Sequence, residues 1–452
     1  MNDITRSAEN PYEPDLDSLR EIAALAMDTA RRNGASASEA ALSRSAGLDV
    51  NVRLGEVETI EHTRDNSLGV TVYFGNSKGS ASSTDFTAAA VRETVEAACR
   101  IARHTAQDEF AGLAEPERMA IDPPDLDLFH PWSIDAEEAI SLALETETAA
   151  RDHDSRITNS DGASVSRHDG DFVYGNSHGF LDGCSSSRNS VSCVVIAEDS
   201  SGMQRGYWYS TGRDPADLEP ASQIGLTAAR RTVRRLGARK LDTRNAPVLY
   251  EADIARGVVG HLVAAVRGAN LYRKASFLVD RLGEPVMADH LRIHEQPHLR
   301  GALASAAFDG EGVATAPRDL VTGGVLRGYV LDSYSARKLG MSTTGNSGGV
   351  HNLTVDAGSK SLEALLAEMD TGLLVTELMG MGINIVTGDY SRGAAGFWVE
   401  GGEIAYPVEE ITIAGNLADM FLGIREVGAD VDARGGIRTG SLLVEQMTIA
   451  GN

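Results

Sequence analysis

Apolar residues recur at helical spacing near the start of the chain. Leu19, Ile22 and Ala26 in "LDSLREIAALAMDTARRNG" predict an amphipathic helix that stops at Asn33-Gly34. The period then changes. "LDVNVRL" alternates Leu48, Val50, Val52 and Leu54, which predicts a half-buried strand, and "SLGVTVYF" predicts a second one. "DFTAAAVRETVEAACRIARHT" returns to the helical period, with Asp85 as its expected N-cap. The same order then recurs. "IDAEEAISLALETETAARDHD" predicts a helix opening near Asp135. "DFVYG" and "SVSCVVIA" predict strands, the latter alternating Val191, Cys193 and Val195, and "EPASQIGLTAARRTVRRLG" closes as a helix. This order implies an internal duplication of a helix–strands–helix unit across residues 16–240. The proline-rich stretch "LAEPERMAIDPPDLDLFHPW" separates the two halves.

The pattern shifts again near "DTRNAP", residues 242–247. Beyond it the chain is rich in glycine and short strand candidates: "GLLVTEL", "GINIVTG", "AGFWVEGGEIAYPVEEITIAG" and "GSLLVEQMTIAG". Helices are predicted at 253–267 and 361–370. The expected architecture is α+β. It has a flexible polar tail over 1–15, a duplicated N-terminal domain over 16–240 and a β-rich C-terminal domain over 245–452.

Composition narrows the functional classes. A length of 452 residues allows two or three domains, and 42 % apolar residues mark a folded chain. The net charge of −24 argues against a general nucleic-acid binder, which needs a basic field. No apolar run is long enough to cross a bilayer, and "MNDITRSAENPYEPD" lacks an apolar signal core. Cys99, Cys184 and Cys193 are few, odd in number and without C-x-x-C spacing. They read as reduced thiols of a cytoplasmic protein.

Several motifs invite chemistry. "HEQPH" gives His294, Glu295 and His298 the H-E-x-x-H spacing of a zinc protease, and the longer pattern continues to Gly301. That motif works on a helix, where i and i+4 share a face. Pro297 removes a helical N–H and drives Gln296 from the α region, and Ala304 replaces the third histidine of the long pattern. The expected structure is a surface turn with two solvated histidines. G-x-S-x-G occurs at 75–79, 175–179 and 345–349, but no helix is predicted directly after any of the three, as a nucleophile elbow requires. Turns explain them better. Arg230, Arg231, Arg234, Arg235, Arg239 and Lys240 cluster at a predicted helix C-terminus, where the macrodipole favours cations. An acidic or nucleic-acid partner is the second reading. His261 lies on the same face of an apolar helix as Ile254 and Val258, and no acid or second histidine occupies the neighbouring turn.

Five stretches resemble the PmbA/TldD family, most closely its PmbA branch, also called TldE. They are "GHLVAAVRGANLYRKASFLVD", "SYSARKLG", "TGNSGGVHN", "TGLLVTELMGMGINIVTGDYSRGAAGFWVEGGEIAYPVEEITIAGN" and the closing "MTIAGN". They span most of residues 248–452. The resemblance implies a role in proteolysis. TldD-type chains carry zinc on an H-E-x-x-x-H helix plus a cysteine, and they pair with PmbA-type chains into one protease for peptides and unfolded segments. The family is also described as modulators of DNA gyrase. Carried over by position, the first histidine falls on Arg256, the glutamate on Gly257, the second histidine on His261 and the cysteine near Thr439. The resemblance therefore implies no catalytic or metal residue in this chain, with zinc expected in a TldD-like partner. Asp389 and Arg392 in "VTGDYSRGAAGF" are candidates for peptide contact, the glycines letting a peptide add as a strand. Alternatively, these glycines serve strand packing only. Two other classes stay open: a stand-alone hydrolase with a serine or non-zinc site, and a non-enzymatic regulator of gyrase or another protein.

Overall fold

The structure, a computed structural model, describes residues 12–451. Residues 1–11 of the expected tail lie outside the described residues. Tyr12 to Asp15 depart from the expectation of a flexible segment. Tyr12 is 6 % exposed, and its hydroxyl donates to the Arg44 carbonyl at 3.2 Å. The Asp15 N–H donates to Asp171 at 2.8 Å, and its own carboxylate caps the first helix.

The N-terminal domain repeats one order twice. The first unit is α1 (Leu16–Arg32), β1 (Ala37–Arg53), β2 (Glu56–Phe74), β3 (Ser77–Ser83) and α2 (Ala88–His104). The second is α3 (Ala136–Arg151), β4 (Ile157–Asn176), β5 (Leu181–Asp199), β6 (Gly202–Gly212) and α4 (Ala221–Val233). The six strands form one antiparallel sheet in the order β3-β2-β1-β4-β5-β6. The units meet at β1 and β4, in register from Glu39 opposite Asn176 to Val52 opposite Ala163. Alternation puts all four helices on one face. Ala40 and Leu42 pack with α1 and α2, while Leu48, Val50 and Val52 on the same side of β1 pack with α3 and α4.

A polar seam divides these two cores. Arg167, Asp169 and Asp171 of β4 are buried there, and Ser187 and Ser185 donate to the two aspartates at 2.6 Å each. The linker covers the seam: Ser187 N–H donates to Leu128 O and Arg167 to Trp132 O. Helix ends follow local chemistry. Asp135 and Glu138 form a capping box on α3. Thr87, not Asp85, caps α2. Asp85 instead accepts from the Thr87 N–H at 2.8 Å, forming a turn that leads into the helix.

The C-terminal domain begins with β7 (Arg244–Tyr250), α5 (Ala252–Ala265) and α6 (Gly268–Tyr272). Then follow β8 (Arg292–Glu295), β9 (Arg318–Thr322), β10 (Val325–Leu326), α7 (Ser333–Lys338), β11 (Leu353–Val355) and α8 (Leu362–Met369). The last elements are β12 (Gly372–Met379), β13 (Ile383–Asn384), β14 (Asp389–Glu400), β15 (Glu403–Asn416), α9 (Leu417–Leu422), β16 (Ile424–Val427), β17 (Ile437–Arg438) and β18 (Leu442–Ala450). Strands β12, β7, β18, β15 and β14 pair in a closed circuit, because β14 also pairs with β12. A smaller sheet runs β10-β9-β8-β11-β17. Helix α5 shares one core with both: Ala255, Val258, Val259 and Leu262 cluster with Tyr250 and Val444 of the circuit and with Ile293 and Leu353 of the smaller sheet. The strand expected in "GINIVTG" shrinks to two residues. Asn384 accepts from Val386 N–H through its side chain and from Gly388 N–H through its carbonyl, so the chain turns. Among the described residues no helix is long and apolar enough to cross a membrane.

The arginine run finds its acidic partners within the chain. Arg231 binds Glu251 at 2.9 Å and Asp253 at 3.1 Å, Arg235 binds Glu377 at 2.5 Å, and Lys240 binds Glu410 at 2.7 Å. Arg234 and Arg239 lie over Phe397 and Tyr406, both at 4.7 Å. The end of α4 is thus tied to the C-terminal domain.

Two measurements check this packing. A Cβ at Gly225 would lie 2.1 Å from the Thr146 carbonyl where α4 crosses α3. Gly225→Ala is expected to lose about 1–3 kcal/mol in urea denaturation, despite alanine's better helix propensity. Glu311 accepts from Ser333 N–H at 3.0 Å. Its pKa is pushed up to about 7, chiefly by burial, with Asp309 and Asp332 adding repulsion against the Ser333 bond. A raised carboxyl pKa contributes stability below the unfolded value that is lost as pH rises through the folded one. From about pH 5 to about pH 8, wild type is expected to lose stability relative to Glu311→Gln. Parallel pH profiles would contradict this.

Candidate functional site

The "HEQPH" residues form no helix. His294 and Glu295 end strand β8, and His298 lies in the loop beyond it. The expectation of two solvated histidines holds for His298 only, since His294 is 7 % exposed. The smaller sheet buries it, with Nδ1 at 3.2 Å from Asp356 and Nε2 at 2.5 Å from the Gln296 amide. Glu295 is 2 % exposed and fully engaged. It accepts from Arg318 at 2.5 Å, from the Asn346 amide at 2.9 Å and from His351 N–H at 2.8 Å. A carboxylate so committed has no oxygen free to act as a base.

None of the G-x-S-x-G stretches leads into a helix. The first spans the turn at 75–76 and the start of β3, and the second the end of β4 and the turn before β5. The third rims a cavity of about 760 Å³, which lies between the linker, the N-terminal sheet and the C-terminal loops. Phe129, Phe172, Cys184, Phe308 and Gly348 line it. The neighbouring His351 directs its Nε2 to the Gly345 carbonyl at 3.1 Å.

Three of the four positions that the resemblance sets against metal-site residues lie on α5. Gly257 and His261 are one turn apart and share a face, while Arg256 points about 100° away from Gly257 around the helix. Strand β17 runs beside it, with Ile437 Cδ1 only 3.8 Å from where a Cβ at Gly260 would stand. Thr439, one residue further on, is fully buried. Its hydroxyl donates to Gly440 O at 3.0 Å. Burial works against the Arg256 charge, but a hydrogen bond to Tyr209 and the charge of Asp432 outweigh it and raise its pKa. His261 is half-buried, its ring edge-on to Tyr390 at 5.9 Å. Burial, then the nearby Arg392 charge, lowers its pKa and favours the neutral ring. At Gly257 a Cβ would meet nothing within 4 Å, so the face is open there. One imidazole, a permanent cation, a bare glycine and a committed hydroxyl do not suit Zn²⁺, which needs several nitrogen, sulfur or carboxylate donors.

The two peptide-contact candidates separate. Arg392 comes close to His261. Asp389 is exposed and engaged by Thr387 at 2.6 Å. Strand addition on this segment is ruled out by its pairing. Residues 389–394 bond β15 on one side, and β12, β13 and Gly382 on the other. Sequence reasoning passed over Tyr390. Its signal was present, because residues two apart on a strand share a face and Tyr390 therefore accompanies Arg392. Tyr209 and Asp432 carried no such signal, since only the tertiary fold brings them to α5.

Family models of the PmbA/TldA metallopeptidase match three stretches: domain 1 over residues 38–102, the central domain over 129–236 and the C-terminal domain over 243–451. The chain belongs to the PmbA/TldD family. Metalloprotease PmbA of Escherichia coli O157:H7 is 51 % identical over 95 % of this chain and 94 % of that protein. The metalloprotease PmbA homolog of Haemophilus influenzae is 48 % identical over 96 % of each. A crystal structure of a candidate modulator of DNA gyrase from Bacteroides thetaiotaomicron superposes with a TM-score of 0.92. It is 28 % identical and covers 96 % of this chain and 99 % of its own. The PmbA/TldD match thus extends beyond the C-terminal words to the duplicated N-terminal domain.

Three substitutions separate structural from open positions. Glu295→Ala leaves Arg318 unpaired and is expected to lose about 3–5 kcal/mol. His298→Ala should stay within about 0.5 kcal/mol in the same denaturation assay. Gly257→Ala should fold at least as stably as wild type, because the added methyl meets open space and alanine favours the helix. A large loss of stability would mean that the face is closed.

Proposed function

We propose that this chain is the PmbA-type (TldE-type) subunit of a cytoplasmic TldD/PmbA metalloprotease that processes peptides and unfolded segments. In this reading a TldD-like partner supplies Zn²⁺ and the glutamate base. This chain shapes the chamber and holds the peptide. The observation that carries the reading is the α5 face, where Gly257 stands open between Arg256 and His261. Hydrolysis of a peptide bond needs a base positioned for the attacking water, and glycine offers none. The Arg256 guanidinium would also repel a divalent cation. The fold and the partly exposed face are kept nonetheless, which supports a role in binding.

The purified chain should contain far less than one zinc per molecule and cleave no peptide. Mixing with its TldD-like partner should produce chelator-sensitive cleavage. The double substitution Arg256→His, Gly257→Glu should not make the single chain active, because Thr439 remains a buried hydroxyl. Near-equimolar zinc with chelator-sensitive cleavage by the single chain would refute the reading. Capture of gyrase, without any protease partner, from the native cell would replace it with the regulatory one.

A further inference from the structure

Arg392 is an unusual arginine for this chain. Acidic side chains outnumber Lys and Arg by 65 to 41. The part-buried Arg231, Arg235, Arg318, Arg337 and Arg434 all bind carboxylates, whereas Arg438, like Arg392, has a buried Nε without a hydrogen-bond partner among the described residues. Arg392 forms no ion pair among the described residues, and its Nε is buried without a hydrogen-bond partner. An uncompensated buried donor on a charged group is costly, so a fold keeps one where something else completes it.

The neighbours are also donors. The Tyr390 hydroxyl is buried beside that of Tyr250, with no hydrogen bond of ordinary length. Tyr390 and Arg392, two apart on β14, share a face. The His261 imidazole stands edge-on to Tyr390. The Arg392 charge acts on His261, Tyr250 and Tyr390 alike, each time opposing ionisation of His261 or favouring that of a phenol. One turn before His261 the open side of Gly257 leaves room for a ligand.

We propose that Arg392, with Tyr390 and His261, binds a carboxylate of a peptide. The inference rests on the peptide-holding reading above and names what is held. A guanidinium beside a phenol and a neutral imidazole offers one positive charge and several N–H and O–H donors, a set that suits a singly charged, planar acceptor. The carboxylate is either the free C-terminus of the peptide or an Asp or Glu side chain, and the two sources are separable.

The test is fluorescence anisotropy of labelled peptides with the purified full chain, repeated with its partner present. One series carries no acidic side chain and ends in either a free carboxylate or an amide. The other is amide-capped and carries either Glu or Gln. A preference of about tenfold for the carboxylate form in either series supports the site and identifies the source. Arg392→Gln should abolish that preference, Arg392→Lys should retain part of it, and raised salt should weaken it. Tyr390→Phe, which removes one hydroxyl and no volume, should reduce it by a smaller factor. Thermal denaturation of each variant shows whether the fold is intact. Binding with no carboxylate preference in either series, or a preference that survives Arg392→Gln, overturns the inference and leaves the peptide-holding role standing. Absence of peptide binding with and without the partner sinks both.

Discussion

The ionic cluster at the start of α5 is the constraint on which the candidate site depends. Arg231 at the end of α4 binds Glu251 and Asp253 at 2.9 and 3.1 Å and lies over the Trp208 ring at 5.0 Å. Arg231, Glu251 and Asp253 are each less than a fifth exposed. Charges so buried are tolerated only while paired, and removing one member leaves the others uncompensated. Their value here is geometric. The cluster fixes the first turn of α5 against the last strand of the N-terminal sheet. A second tie acts beside it: Arg434 lies over Trp208 and Tyr209 at 4.1 and 4.5 Å and binds Asp432 at 2.9 Å. Tyr209 thereby reaches Arg256, and a face that belongs to the C-terminal domain acquires a wall from the N-terminal one.

This arrangement also accounts for the arginine run in an acidic chain. The sign of the charges was legible in the sequence, and so was their place at a helix end. Their partners were not, because Glu251, Glu377 and Glu410 are distant in sequence or lie on strands whose pairing no local pattern reveals. The same limit applies to the closed strand circuit. Tyr250 pairs with Leu442 and Leu373 with Val248, pairings between segments that a single sequence gives no means to match. The duplicated half was more legible. Each helix and strand there carries its own period, and the sheet order follows once the two units are set edge to edge. The HEQPH segment was half legible. Pro297 excluded the helix correctly, but a strand of four residues is too short for its alternation to announce that His294 and Glu295 are buried.

The surroundings of α5 were not legible in the sequence. Gly257 and His261 stand one turn apart by helical spacing alone, but what meets them comes from other elements. Positive charge surrounds them. Arg256 is held by Tyr209 and Asp432, and the Arg392 charge acts on His261. A neutral, half-buried imidazole beside a guanidinium cannot easily accept a second cation, since the Coulomb repulsion acts in a partly dehydrated site where screening is weak. Restoring a histidine and a glutamate on α5 would leave that repulsion in place, together with the buried Thr439 hydroxyl. Building a metal site here would therefore require coordinated changes on α5, on β14 and after β17. The same positive charge that disfavours a metal ion favours the negative end of a peptide. In a chain of net charge −24, a local cationic face is where such a group can be held in one orientation.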